Sequence, residues 1–178
     1  MNAIIENLLT RRSTRAFLQR EIPDNELNEI LQAAIYAPSG MGKQTWKFTV
    51  LCNQEKIQQL AELIGRKLGR KGYDMYRPQV LIIPSNQKEN PHGMEDNACA
   101  LENIFLAAHS FGIGSVWINQ LRTLCDDPEV RALLDEFEIP SDHVVYGMAA
   151  LGYPADAPKK ESTKSERSGL SNKTDRRF

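Results

Sequence analysis

Three guanidiniums and two hydroxyls fall within five consecutive residues, Arg11-Arg12-Ser13-Thr14-Arg15, just after a short apolar stretch. Together they can hold a dianionic phosphate through charge-assisted, partly bidentate hydrogen bonds. A basic turn standing alone is most often a solvated surface. A second segment gives this one weight: Ala37-Pro38-Ser39-Gly40-Met41-Gly42-Lys43-Gln44-Thr45-Trp46, at the end of a helical pattern. Ser39, Gly40 and Gly42 leave backbone amides accessible, so a flat ring can approach them closely. Gln44 can donate and accept in the plane of such a ring.

Other chemistries fit less well. Gly40-Met41-Gly42-Lys43 resembles the end of a phosphate-binding P-loop, but position 37 is alanine where that motif needs glycine. Gln44 stands where it needs Ser or Thr. The loop also leads from helix into strand, the reverse of a P-loop. Nucleotide phosphotransfer is therefore disfavoured. Gly112-Ile113-Gly114 lacks the third glycine of a dinucleotide fingerprint and follows a helix. His92, His109 and His143 have no metal-ligand spacing, so no metal is expected. Cys99 falls within a helical pattern and reads as core rather than nucleophile.

The elements that must position these segments are legible in outline. Ile4, Ile5, Leu8 and Leu9 share a face of a first helix over residues 2–9. Asp24 is the expected N-cap of a second, with Leu27, Ile30, Leu31, Ala34 and Ile35 as its apolar stripe and Pro38 as its stop. Residues 46–52 alternate like a half-buried strand. A third helix spans 54–68, with Ile57, Leu60, Ala61, Ile64 and Leu68 inward, and residues 65–78 read as a mobile connection carrying Tyr73 and Tyr76. Val80-Leu81-Ile82-Ile83 has the unbroken apolarity of a strand covered on both faces. A polar loop over 85–93, a helix over 95–111 stopped by Gly112, a strand over 113–119, a helix over 126–137 and a strand over 144–151 complete the pattern.

With 178 residues, 41% hydrophobic and 25% charged, the chain reads as one α+β domain over residues 1–155. Residues 156–178 are polar and form a tail that cannot bury a core of its own. A formal net charge of −1 gives no global reason to expect nucleic acid or an acidic membrane as partner. Three cysteines without CxxC spacing suit a reducing compartment. Thr10-Arg11-Arg12 lacks the apolar run that a twin-arginine export signal needs, and no membrane span is present in the pattern. A cytoplasmic protein is expected.

Read in order, the chain resembles the FMN-dependent nitroreductase family. The matching pieces are Arg11-Arg12-Ser13-x-Arg15 with Phe17 and Ile22-Pro23; Ala33-Ala34-x-x-Ala37-Pro38-Ser39 with Gln44-x-Trp46; and Glu102-Asn103-x-x-Leu106-Ala107-Ala108-x-x-x-Gly112. Gly114-Ser115-Val116-Trp117-Ile118 and Leu151-Gly152-Tyr153-Pro154 follow. The resemblance implies a central, mostly antiparallel sheet flanked by helices. It also implies an obligate homodimer with two FMN molecules, each lying at the subunit interface, and a C-terminal tail extending over the partner.

Carried over by position, Arg11, Arg12, Ser13 and Arg15 would hold the phosphate and the pyrimidine edge of the flavin. Pro38, Ser39 and Gly40 would meet the ring from the other subunit, with Gln44 at its polar edge. The strand ending at Ile118, with Asn119 and Gln120, would set backbone amides near flavin N5. Lys164 and Arg167 in the tail would return to the phosphate. Two positions depart from the family pattern: Gly42 where Asn is common, and Thr45 where Pro is common. The chain also lacks inserted helices over the substrate side, which implies a wider pocket. The implied activity is ping-pong, two-electron reduction of small nitroaromatic or quinone-like acceptors by NADH or NADPH. No side chain acts as nucleophile or base. A flavin-binding sensor or carrier without turnover is the alternative.

Overall fold

The computed structural model describes residues 2–156. Their element order is α1 (Ala3–Thr10), α2 (Asp24–Ile35), β1 (Trp46–Leu51), α3 (Gln54–Lys67), β2 (Val80–Gln87), α4 (Gly93–Ser110), β3 (Gly114–Ile118), α5 (Pro128–Glu136), β4 (His143–Val144) and β5 (Met148–Gly152). Short 3-10 turns occupy Gly40–Gly42 and Gln120–Thr123. The sheet runs β1-β2-β5-β3, with β4 paired to β2, and every strand pairing is antiparallel. This is the α+β architecture expected from the sequence.

Both faces of the sheet are covered, which explains the continuous apolarity of β2. Leu81 and Ile83 join Ile57, Leu60 and Ile64 of α3 and Val130, Leu133 and Leu134 of α5 in one core. Val80 and Ile82 turn the other way, into a second core with Ile30 and Ala34 of α2 and Leu101, Ile104 and Ala108 of α4. Strand residues alternate faces with period two, so a strand between two helical layers needs apolar residues at every position. Burying each such aliphatic side chain stabilises the fold by about 1.5–3 kcal/mol.

Local chemistry sets the helix ends. Asn53 caps α3, its Oδ1 accepting from the Lys56 N–H at 3.0 Å. Asp127 caps α5 in the same way through the amides of Glu129 and Val130. Gly112, at φ +71°, ends α4 in a paired-bond stop. Ile113 N–H donates to Ala108 O, and Gly112 N–H to His109 O.

Four expectations are corrected. Asp24 is the first residue of α2 rather than its cap: Pro23 holds the cap position and no side chain bonds there. The polar run after Ile83 continues β2 through Gln87, because Ser85 and Asn86 are buried with hydrogen-bond partners of their own. The last apolar stretch is broken into β4 and β5, since β4 pairs at the end of β2 and the chain then shifts to β2's inner half. In the connection over 65–78, Met75 is fully buried and packs in the α3/α5 core, so that segment is anchored. The polar tail beyond residue 156, with Lys164 and Arg167, lies outside the described residues. Among the described residues no helix is long and apolar enough to cross a membrane.

Candidate functional site

The arginine cluster follows α1 directly and is fastened to the C-terminal half of α4 and to β3. Asn7 donates its side-chain amide to Leu106 O at 2.9 Å, and Thr10 Oγ1 meets His109 Nε2 at 2.8 Å. Beyond the helix, Thr14 N–H donates to Ser115 O at 2.9 Å, and Ser13 bridges Ser115 in parallel. Glycine is required opposite: a Cβ on Gly114 would come within 2.5 Å of Thr14 Oγ1. The backbone of the cluster is therefore an added edge on β3.

Its side chains have distinct surroundings. Arg11 lies half-buried with its guanidinium 5.9 Å from the Phe105 ring centre, and Phe105 in turn packs at 6.0 Å against Trp117. Arg12 turns back on α1: its Nη1 donates to Leu9 O at 2.6 Å and to Arg11 O at 2.7 Å. It thus places positive charge at the negative end of the helix dipole. Ser13 and Arg15 are exposed. Among the described residues no carboxylate pairs with Arg11, Arg12 or Arg15. An uncompensated donor set of this kind suits a phosphate.

The second segment sits at the opposite end of α4. Gly40 N–H donates to Asp96 Oδ1 at 2.7 Å, in the first turns of that helix. A Cβ on Gly40 would strike the His92 side chain at 2.5–2.7 Å, so only glycine lets the loop lie this close. Met41 (φ 56°), Gly42 (φ 66°) and Gln44 (φ 49°) are all left-handed. Two of these are not glycine, a conformation costing about 1–3 kcal/mol each that the surroundings must enforce. Ser39 Oγ accepts from Gln44 N–H at 3.2 Å, and Gln44 Nε2 reaches Ile35 O at 3.4 Å. Pro38 and Gln44 are exposed and Ser39 is half-buried.

Along α4, Asp96 and His109 are separated by roughly 20 Å at 1.5 Å per residue. Across the sheet, β1 and β3 are the two ends of the four-strand path, roughly 14 Å apart at 4.8 Å per strand. The two segments therefore stand well apart on one chain. At the end of β3, the Ile118 side chain is buried in the core, leaving only its backbone for contact. Asn119 is exposed, and its N–H donates to Gln120 Oε1 at 2.9 Å.

No side chain here is prepared as a nucleophile. Burial pushes the thiols of Cys52 and Cys125 up, away from the reactive thiolate. Tyr73 is pushed up to about 12, mainly by burial. Among the described residues no group of His, Cys, Asp and Glu could hold a metal ion.

A family model described as the nitroreductase family matches residues 8–79 and 67–153. The chain belongs to the nitroreductase family. Its fold is similar to that of a Bacteroides fragilis nitroreductase crystallised with bound FMN, at 43% identity and a TM-score of 0.87, covering 93% of this chain and 96% of that one. It is also similar to an FMN-dependent nitroreductase from Clostridium difficile, at 32% identity and TM-score 0.79 over 94% and 98% of the two chains. An FMN reductase (NADPH) of Bacillus subtilis is 27% identical over 90% of this chain and 70% of its own length.

In this nitroreductase-family chain the candidate site includes residues that sequence reasoning passed over. Asp96, Asn90, Asn86 and His92 support the loop, and Phe105 and His109 support the arginines. Their signal was faint, because buried polar residues in a run of polar letters look like a solvated loop. Burial lowers the His109 pKa below its ordinary 6.5, and Arg11 and Arg12 push the same way. His143, whose Nδ1 lies 3.0 Å from Ser85 Oγ, is lowered chiefly by burial. A histidine whose folded pKa lies below its unfolded value contributes stability above about pH 6.5, and that contribution is lost as pH falls further. The melting temperature should drop from about pH 7 to about pH 5, and a His109→Gln, His143→Gln double variant should drop less. Equal slopes in a thermal-shift series would refute the assignment.

Proposed function

We propose that two copies of this nitroreductase-family chain pair so that each flavin site is built from both. One chain supplies the arginine cluster and the end of β3, and its partner supplies the Pro38–Gln44 loop. The observation that carries this reading is the separation of the two segments along α4, each exposing the groups that suit a different part of FMN. Uncovered apolar side chains support it: Ile4, Ile5, Leu8 and Leu9 on α1, and Tyr36 and Met41 beside the loop.

The protein is an FMN-dependent oxidoreductase of the NAD(P)H type. FMN, when bound, would supply the two-electron redox chemistry that links NAD(P)H oxidation to reduction of the acceptor. The chain's own residues bind, orient and shield. Ser13 and the guanidiniums of Arg11, Arg12 and Arg15 would hold the phosphate, with Lys164 and Arg167 of the tail as further cations. A guanidinium at the pyrimidine edge offsets the negative charge that accumulates there on reduction. The Pro38–Gly40 backbone and the Gln44 side chain would fix the ring plane, while Asn119 and Gln120 would border its reactive side. The acceptors are small, electron-poor nitroaromatics or quinones, which need only stack on an exposed ring face.

The test is the visible spectrum of the purified protein. Flavin bands should be present after FMN loading and desalting, bleach on adding NADH or NADPH, and return on adding a nitroaromatic or a quinone. Absence of flavin absorbance would overturn the reading. Bound flavin that NAD(P)H does not bleach would make the protein a carrier or sensor.

A further inference from the structure

The Pro38–Gln44 loop cannot hold its shape on local preference, because Met41 and Gln44 are left-handed without being glycine. What restrains it is a buried polar chain beneath. Asp96 is 2% exposed and has no cationic partner among the described residues. Its Oδ1 accepts from Gly40 N–H at 2.7 Å, and its Oδ2 accepts from Asn90 Nδ2 at 2.9 Å. Asn90 Nδ2 also lies 2.9 Å from Thr45 Oγ1, and its Oδ1 accepts from His92 N–H at 3.0 Å. Thr45 Oγ1 donates to Asn86 Oδ1 at 2.6 Å, and Asn86 Nδ2 reaches Asn97 Oδ1 at 3.4 Å. A buried carboxylate is tolerated only when its oxygens are satisfied. Here the donors that satisfy it are Gly40 of the loop and Asn90 of the connection between β2 and α4, and the helix N-terminus adds a favourable dipole.

We propose that Asp96 is a positioning residue for the flavin: through Gly40 and the Asn90–Thr45–Asn86 relay it locks the loop to α4 and β2 at the height where the ring rests. The inference rests on the reading that this loop covers FMN. It also assigns a role to Thr45, whose hydroxyl links Asn90 to Asn86.

The experiment titrates FMN into apo wild-type protein, Asp96→Asn and Thr45→Val, then records each visible spectrum at saturation and each apo melting temperature. Asp96→Asn keeps the shape but turns an amide NH2 toward Gly40 N–H or Asn90 Nδ2. It should weaken FMN binding roughly tenfold to a hundredfold, the effect of one charged hydrogen bond, and alter the fine structure of the bound flavin's band. Adding Asn90→Asp re-pairs positions 90 and 96 but takes away the donor to Thr45 Oγ1, so it should restore both readouts only in part. Thr45→Val should shift them in the same direction by less. Unchanged affinity and spectrum in Asp96→Asn, even with a lower melting temperature, overturn the proposal by making the role merely structural. Should Asp96→Asn fail to fold, unchanged affinity in Thr45→Val overturns it instead. Absence of FMN binding by the wild type overturns the reading beneath it, and is told apart by that control.

Discussion

Leu8→Glu is expected to split the protein into single chains and to empty it of FMN. On one chain Ile4 is 70% exposed, Ile5 47%, Leu8 43% and Leu9 51%, four large aliphatics within six residues. A contiguous apolar face of this kind on a water-facing helix marks a covered surface. α1 itself is held from its other side, through Asn7 and Thr10 to α4. The substitution therefore leaves the fold of one chain intact. If a second copy covers the face, the new carboxylate must be buried without a partner, which costs roughly 3–5 kcal/mol and dissociates the pair. Each flavin site then loses its partner's Pro38–Gln44 loop. Light scattering with visible detection on an eluting column reads both consequences at once. A single chain that keeps its flavin would contradict the shared site, and an intact, fully loaded pair would move the interface off α1.

Removing arginines from the cluster should separate two roles that sequence alone assigned together. Arg11→Ala is expected to weaken FMN binding by about 1.5–3 kcal/mol, the range for a hydrogen bond to a charged group. That corresponds to a dissociation constant raised roughly 10- to 150-fold. Its guanidinium rests on Phe105 and satisfies no backbone group, so the apo melting temperature should hardly move. Arg12→Ala should weaken binding in the same direction and also lower the apo melting temperature. Its Nη1 satisfies Leu9 O and Arg11 O at the end of α1, and those carbonyls lose their donor. Fluorescence titration of FMN beside a thermal melt distinguishes the two. Equal affinity in Arg11→Ala would remove that residue from the phosphate site, and an unmoved melting temperature in Arg12→Ala would show that the cap contributes nothing.

Much of the fold was legible because it follows from short-range rules. The 3.6-residue stripe of α3, the glycine stop at Gly112 and the unbroken apolarity of Val80–Ile83 each rest on neighbours within a few positions. Ser85 and Asn86 were misread for the complementary reason. Their polarity says loop, yet both are buried in β2 because a partner from a distant part of the chain, His143 or Thr45, satisfies each. Hydrogen bonds of that span leave no periodic trace. The exposed face of α1 illustrates the same limit. Ile4, Ile5, Leu8 and Leu9 form an apolar stripe by pattern, and pattern alone cannot say whether the stripe faces this chain's core or another surface.

The sequence by itself determined which groups are available: three guanidiniums and a serine in one cluster, a small-residue loop in another, and a family order that joins them. Residue type and spacing are enough for that, since charge, hydrogen-bonding capacity and glycine's freedom belong to the residues themselves. Only the tertiary structure decided where those groups stand. It set the two segments at opposite ends of α4, folded Arg12 back on its own helix, buried the Ile118 side chain and placed Asp96 beneath Gly40. Such positions depend on how two helical layers pack across one sheet, and packing is settled by contacts between residues that are remote in sequence.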